Sequence, residues 1–212
     1  MSRPDNWLAG RQDGRVRAGC GGDAYTLAWL WADACGMENV EFKAELRDLA
    51  LARTLCRQIK AAWVATLEQT DTYFRLAEGR LKRREVAGQA TEWILYHRPD
   101  RAAARVSRFT ILSQAQAELR FGAGVPSVWV VVKKTRSVWM HSGVRIHLDQ
   151  VEELGTFLEL EALITPRQPL PECYRQVQLL GQAFAPVLGE VLSQSYSDML
   201  AGEGGRLTIP GS

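Results

Sequence analysis

From Glu38 onward, polar and apolar residues fall into regular periods. Asn39-Val40-Glu41-Phe42-Lys43-Ala44-Glu45-Leu46 alternates polar with apolar, predicting a strand with Asn39, Glu41, Lys43 and Glu45 on one face. The period then changes. Behind Asp48, the residues Leu49, Leu51, Ala52, Leu55, Cys56 and Ile59 recur at helical spacing, so a helix is expected from Asp48 to Trp63 with an apolar stripe against a sheet. Val64 to Gln69 reads as a short strand leading into Gln69-Thr70-Asp71-Thr72-Tyr73-Phe74. In Gly79 to Val86 the even positions Arg80, Lys82 and Arg84 line one strand face, and Glu92 to Arg98 is a strand stopped by Pro99-Asp100, with Arg98 at its rim. Val106 to Leu112 is another strand, followed by a short helix from Ser113 to Phe121 closed by glycines. Val128 to Arg136 gives a long strand carrying Lys134 and Arg136 in phase, with a turn expected through Ser137-Val138-Trp139-Met140 and His141-Ser142-Gly143. After Ile164 the pattern is helical, over Pro171 to Leu188 and Gly189 to Leu200. About eight short strands with helices at the ends imply an α+β protein built on an antiparallel sheet.

The stretch Val144 to Ala162 concentrates the chemistry. Arg145, His147 and Asp149 share one face of its first run and Glu159 and Glu161 one face of its second, with Glu152-Glu153-Leu154-Gly155 as the turn between them. Charges on one sheet face are ordinarily just wetted. Here Arg80, Lys82, Arg84, Arg98, Lys134, Arg136 and Arg145 would be like charges on neighbouring strands, and like charges directly opposite one another are destabilising. If the eight strands close into a barrel, an inward basic lining makes its interior a polyanion site. Val130, Val132 and Leu158 are then expected to face outward beneath the helices. Glu41, Glu159, Glu161 and Asp149 offer oxygen ligands for a hard divalent cation such as Mg2+ or Mn2+. A carboxylate-bound metal beside basic phosphate clamps suits phosphoryl or nucleotidyl chemistry. His147 could act as a base or support the metal, although a lone histidine is more often structural.

Composition narrows the classes. The 212 residues, 46% hydrophobic and 24% charged, suffice for one domain with a substantial core, and a formal net charge of +2 gives no support to nucleic-acid or membrane-surface binding. Cys20, Cys35, Cys56 and Cys173 have no metal or disulfide spacing, which fits a reducing cytoplasm. Residues 1–36 lack a sustained period and read as a poorly structured extension. Ala32-Asp33-Ala34 mimics a small-x-small cleavage site, but the long polar lead-in and Asp33 argue against a secretory signal, so Met37 is taken as the functional start. Residues 202–212 read as a flexible, glycine-rich tail.

Asn39-Val40-Glu41-Phe42-Lys43, QTDTYF from Gln69, GRLKRRE from Gly79, LYHRPD from Leu95, VRIHLDQVEELGTFLELEA and SYSDML together resemble the CYTH superfamily, the triphosphate tunnel metalloenzymes, in its bacterial class IV adenylate cyclase-like branch. The resemblance covers 37–201. It implies an eight-stranded antiparallel closed β-barrel, a tunnel open at both ends with flanking helices, acting on a triphosphate with Mg2+ or Mn2+. Carried over by position, it implies metal roles for Glu41, Glu159 and Glu161, with Asp149 near the metal or nucleophile. Phosphate contacts fall to Lys43, Arg80, Lys82, Arg84, Arg98, Lys134, Arg136 and Arg145, and catalytic roles to Asp149 and Lys43. The family's first-strand signature is E-x-E-x-K, and Asn39 stands at its first Glu. Three functions stay open: ATP cyclisation, hydrolysis of tripolyphosphate or thiamine triphosphate, and non-catalytic polyphosphate binding. The expected partner is a small triphosphate, ATP or tripolyphosphate, with no nucleic acid or membrane, and the chain a monomer or homodimer.

Overall fold

In the computed structural model, residues 36–76, 79–97, 102–122 and 127–204 are described; the expectations for the N-terminal extension, for Arg98 and for the end of the tail lie outside them. Nine strands follow in chain order: β1 Met37–Leu46, β2 Ala62–Phe74, β3 Arg80–Val86, β4 Glu92–His97, β5 Arg105–Ser113, β6 Val128–His141, β7 Val144–Val151, β8 Gly155–Leu163 and β9 Leu188–Val191. Among the described residues four α-helices accompany them: α1 Leu49–Gln58, α2 Gln114–Phe121, α3 Leu170–Phe184 and α4 Tyr196–Gly204. The sheet order is β5-β4-β3-β2-β6-β7-β8-β1, and β1 pairs back onto β5, closing an antiparallel barrel of eight strands. The short β9 extends the sheet along the C-terminal half of β1, opposite Ala44 and Leu46. Among the described residues no helix is long and apolar enough to cross a membrane.

Four boundaries differ from the sequence pattern, each for a local reason. The helix expected to reach Trp63 stops at Gln58 because Lys60 adopts φ 57°, and the amides of Lys60 and Ala61 donate back to the carbonyls of Arg57 and Cys56. Its start is as expected, Asp48 accepting from the Leu51 amide at 2.8 Å. The chain freed by that early stop joins β2, which runs unbroken over thirteen residues. β6 likewise continues through Ser137–Met140. Its turn is only Ser142 and Gly143, both at positive φ as a two-residue hairpin requires. Finally, Pro186 has no amide hydrogen to extend α3, so the chain passes through a single 3-10 turn and leaves as a strand where a helix from Gly189 was expected. Gly189 allows that strand to approach, since a Cβ there would sit 2.7 Å from Glu45 Oε2.

The two faces of the barrel carry opposite chemistry. Outside, α1 and α3 bury Ala52, Cys56, Cys173, Val177, Leu180 and Phe184 against Val40, Leu46, Ile146, Leu148, Leu158 and Leu160. A smaller apolar cluster joins Ala117 of α2 to Phe74, Leu81, Trp93 and Leu112. Leu158 thus faces outward as expected. Val130 and Val132 do not: they share the parity of Lys134 and Arg136, so they line the interior, and the exposed partners of that strand are Val131 and Lys133. They belong to an apolar inner end with Tyr73, Ile94, Tyr96, Val151 and Phe157. There α4 packs with Tyr196, Met199 and Leu200.

Candidate functional site

Alternation along the strands delivers the charged side chains to the interior. β1 contributes Glu41 and Lys43, β3 contributes Arg80, Lys82 and Arg84, and β6 contributes Lys134 and Arg136. β7 adds Arg145, His147 and Asp149, and β8 adds Glu159 and Glu161. The register then refines the charge argument made from sequence. The cations stand opposite acids, Lys43 facing Glu159, Arg84 Asp71, Arg136 Asp149 and Arg145 Glu161, whereas one pair of like charges, Glu41 and Glu161, meets across β1 and β8. The basic lining is therefore a mosaic of ion pairs, and the repulsion among its cations is relieved by the acids of neighbouring strands.

Two clusters dominate this mosaic. In the first, the Asp71 carboxylate, 1% exposed, takes both nitrogens of Arg84 at 2.9 and 3.0 Å and Lys82 Nζ at 3.1 Å. Burial alone would raise that carboxyl, but Arg84 and Lys82 hold it well below the usual range. Arg84 takes the larger share of Asp71. Lys82 is pushed down to about 7 by burial and by the Arg84 charge, against the pull of Asp71.

The second cluster centres on Asp149 and Glu159. Asp149 is completely buried: Oδ1 accepts from Arg136 Nε at 2.7 Å, and Oδ2 accepts from Arg136 Nη2 at 2.6 Å, Lys134 Nζ at 3.3 Å and the Tyr196 hydroxyl at 2.9 Å. Against the effect of burial, Arg136 and Lys134 hold its carboxyl down to about 2. Glu159 pairs with Lys43 Nζ at 2.8 Å and with the Arg136 guanidinium, and these cations keep it well below the usual range despite burial. Arg145 Nη1 lies 3.8 Å from Glu161 Oε2. His147 Nδ1 lies 3.8 Å from both Glu159 Oε2 and Glu161 Oε1, and the three side chains each offer one ligand atom within 4.8 Å of the others.

The structure thus brings together Glu159 and Glu161 of the expected metal set and adds His147. Glu41 lies opposite Glu161 in the register but is held by Arg105 Nε at 3.0 Å, and Asp149 is taken up by Arg136, Lys134 and Tyr196. Of the expected phosphate contacts, Lys43, Lys82, Arg84, Lys134, Arg136 and Arg145 line one continuous interior, while Arg80 sits toward the α4 end, bonded to Asp198 at 2.9 Å. Sequence reasoning assigned no role to Asp71, Arg105, Tyr196 or Asp198. Arg105 lies one residue before the expected start of its strand, in phase with the inward face. Tyr196 and Asp198 belong to the SYSDML stretch, where helical spacing gives no hint that Tyr196 lays its ring over Lys43 Nζ at 3.6 Å and meets the Phe157 ring at a tilt, 5.0 Å between centroids.

The family model for the CYTH domain matches residues 37–185. This chain belongs to the CYTH domain family. A comparison with curated proteins finds none that matches. Among solved structures, a candidate adenylate cyclase from Vibrio parahaemolyticus superposes with a TM-score of 0.63 at 19% identity, covering 79% of this chain and 99% of that one. The PH1012 protein of Pyrococcus horikoshii OT3 gives 0.62 at 20% identity, over 76% and 98%. A candidate adenylyl cyclase from Hippeastrum, reported to have a dominant triphosphatase activity, gives 0.53 at 15% identity, over 81% and 98%. At these identities the likeness is one of fold, and the CYTH barrel is the frame in which the side-chain chemistry has to be judged.

Proposed function

We propose that this CYTH protein is a divalent-metal-dependent enzyme that cleaves a triphosphate inside its barrel, in the manner of a class IV adenylate cyclase converting ATP to cyclic AMP and pyrophosphate. The observation that carries this reading is the convergence of Lys43, Lys82, Arg84, Lys134 and Arg136 on one enclosed interior beside a cluster of His147, Glu159 and Glu161. The donor set fits a divalent cation, because a buried ring nitrogen without a hydrogen-bond partner faces two carboxylates. Bound there, a Mg2+ or Mn2+ ion would lower the pKa of the attacking hydroxyl and offset charge on the phosphates.

The chain's own residues supply the rest. Lys43, Lys82, Arg84 and Arg136 exchange carboxylate partners for phosphate oxygens, so that the cations are already placed when the triphosphate arrives. Lys43 acts on the reacting phosphates, paired with Glu159 at the edge of the metal cluster. Asp149, saturated by Arg136, Lys134 and Tyr196, positions those cations. Arg145 supports Glu161, and Arg105 supports Glu41. Arg80, at the inner end, borders a cavity of about 330 Å³ lined also by Tyr73, Phe74, Trp129 and Asp198, which gives a nucleoside somewhere to sit. In the cyclase reaction the ribose 3′-hydroxyl attacks the α-phosphorus and pyrophosphate leaves toward the basic lining.

Triphosphate hydrolysis is the second reading, favoured by the activity reported for the Hippeastrum structure of the same fold. Phosphorus NMR separates the two. Incubation with Mn2+ and ATP is expected to give cyclic AMP and pyrophosphate; orthophosphate from ATP or tripolyphosphate would replace the cyclase with a hydrolase, and no turnover of either would leave a binding module.

A further inference from the structure

Among the described residues, the inward carboxylates of β1, β7 and β8 are all engaged by cations. Asn39 brings an amide where the family signature has a carboxylate. Glu41 is tied to Arg105, a guanidinium only 2% exposed that also donates to the Leu192 carbonyl at 3.1 Å, fixing it in place. Both oxygens of Asp149 are filled by Arg136, Lys134 and Tyr196. Glu159 is engaged too, Oε1 by Lys43 and Oε2 by Arg136, but its Oε2 and Glu161 Oε1 converge on one group that is not engaged, an imidazole.

That imidazole is itself unsatisfied. His147 is 4% exposed, and its Nδ1 has no hydrogen-bond partner, an expensive state for a buried polar atom. Nδ1 stands 3.8 Å from a carboxylate oxygen on either side, too far for a hydrogen bond. Two ligands of one small divalent cation lie about 3–4 Å apart, so the same spacing suits a shared ion. Mg2+ prefers oxygen ligands and yields its water reluctantly, whereas imidazole suits the later first-row metals.

Building on the proposed function, we infer that His147, Glu159 and Glu161 form a nitrogen-containing centre that selects Mn2+, Co2+ or Zn2+ over Mg2+. Lys43, Arg136 and Arg145 face the same carboxylates and compete with the ion. A triphosphate that draws these cations onto its own oxygens therefore strengthens metal binding, and the metal strengthens triphosphate binding in return.

Mn2+ uptake by the full chain, read by electron paramagnetic resonance of the free ion, tests the selection. Displacing half of the bound Mn2+ is expected to take on the order of a hundredfold excess of Mg2+ for the wild type, falling to about tenfold or less in His147→Asp, where the nitrogen becomes an oxygen. Pulsed resonance on the Mn2+-loaded wild type should show nitrogen-14 modulation from the imidazole, a readout that needs no variant to fold. Absence of that modulation, or the same Mg2+ excess in both proteins, overturns the inference. If Mn2+ still binds and Glu159→Gln abolishes the binding, the proposed function survives that failure; if no Mn2+ binds at all, both fall.

Discussion

The two buried charge clusters of the barrel are built from the same residue types on the same kind of strand, yet they differ in what they leave unused. Around Asp71 one carboxylate serves two cations, Lys82 and Arg84, so the cluster has positive charge to spare. Around His147 two carboxylates stand against an imidazole with an unused nitrogen, so that cluster has capacity for a cation. The first is shaped for an anion and the second for a metal. Period-two alternation fixes only that both clusters point inward. What separates anion from cation capacity is the register, which decides how many acids meet each base.

The largest break in this comparison is expected at Glu159. Glu159→Gln removes a ligand from the cation-accepting cluster and should lower metal-dependent kcat/KM by about a thousandfold or more, while circular dichroism shows the barrel retained. Comparable turnover in the variant would deny the cluster its role. The corresponding change at the other cluster acts on folding. Asp71→Asn leaves Lys82 and Arg84 buried without their counter-charge and should cost about 3 kcal/mol in denaturant unfolding. A loss below about 1 kcal/mol would mean that water already screens this end.

The smallest effect concerns protons. Lys82 titrates near 7 in the folded chain, and its ordinary value is 10.5. Between those values the unfolded chain binds more protons than the folded one, so the Lys82 contribution to stability improves as pH rises from about 7 to 10.5. Its contribution to anion capture runs the other way. Triphosphate affinity, measured by calorimetry with metal held constant, should weaken by up to about tenfold per pH unit above 7 and lose that slope in Lys82→Met. An unchanged slope in the variant would move the titration to another group.

Much of the barrel was legible because its strands obey a strict period. The inward faces of β1, β3, β7 and β8 could be read residue by residue, and the family motifs lie on those faces. The misplacement of Val130 and Val132 was an error of parity, since the even-numbered residues of β6 from Val130 to Arg136 lie on the inward face. Other features could not be read locally. Lys60 ends α1 in a left-handed conformation without the glycine that would announce it. Arg105 meets Glu41 across 64 residues, and Tyr196 meets Asp149 across 47. Such partners are fixed by closure of the barrel and by α4, which no spacing within one element encodes. The acids that meet the basic lining arrive in the same way from other strands, Asp71 from β2 beside Arg84 of β3 and Glu159 from β8 beside Lys43 of β1.

The short β9 has a consequence beyond the site. β5 covers β1 only from Met37 to Glu41, and the rest of that margin would present bare backbone groups to any other extended chain. β9 pairs with Ala44 and Leu46, the Leu192 amide bonds to the Lys43 carbonyl at 2.9 Å, and Arg105 bridges the remaining gap from Glu41 to the Leu192 carbonyl. Four residues that a helical reading had absorbed into α-structure thus act as a selvedge, denying other strands a template on which aggregation could begin.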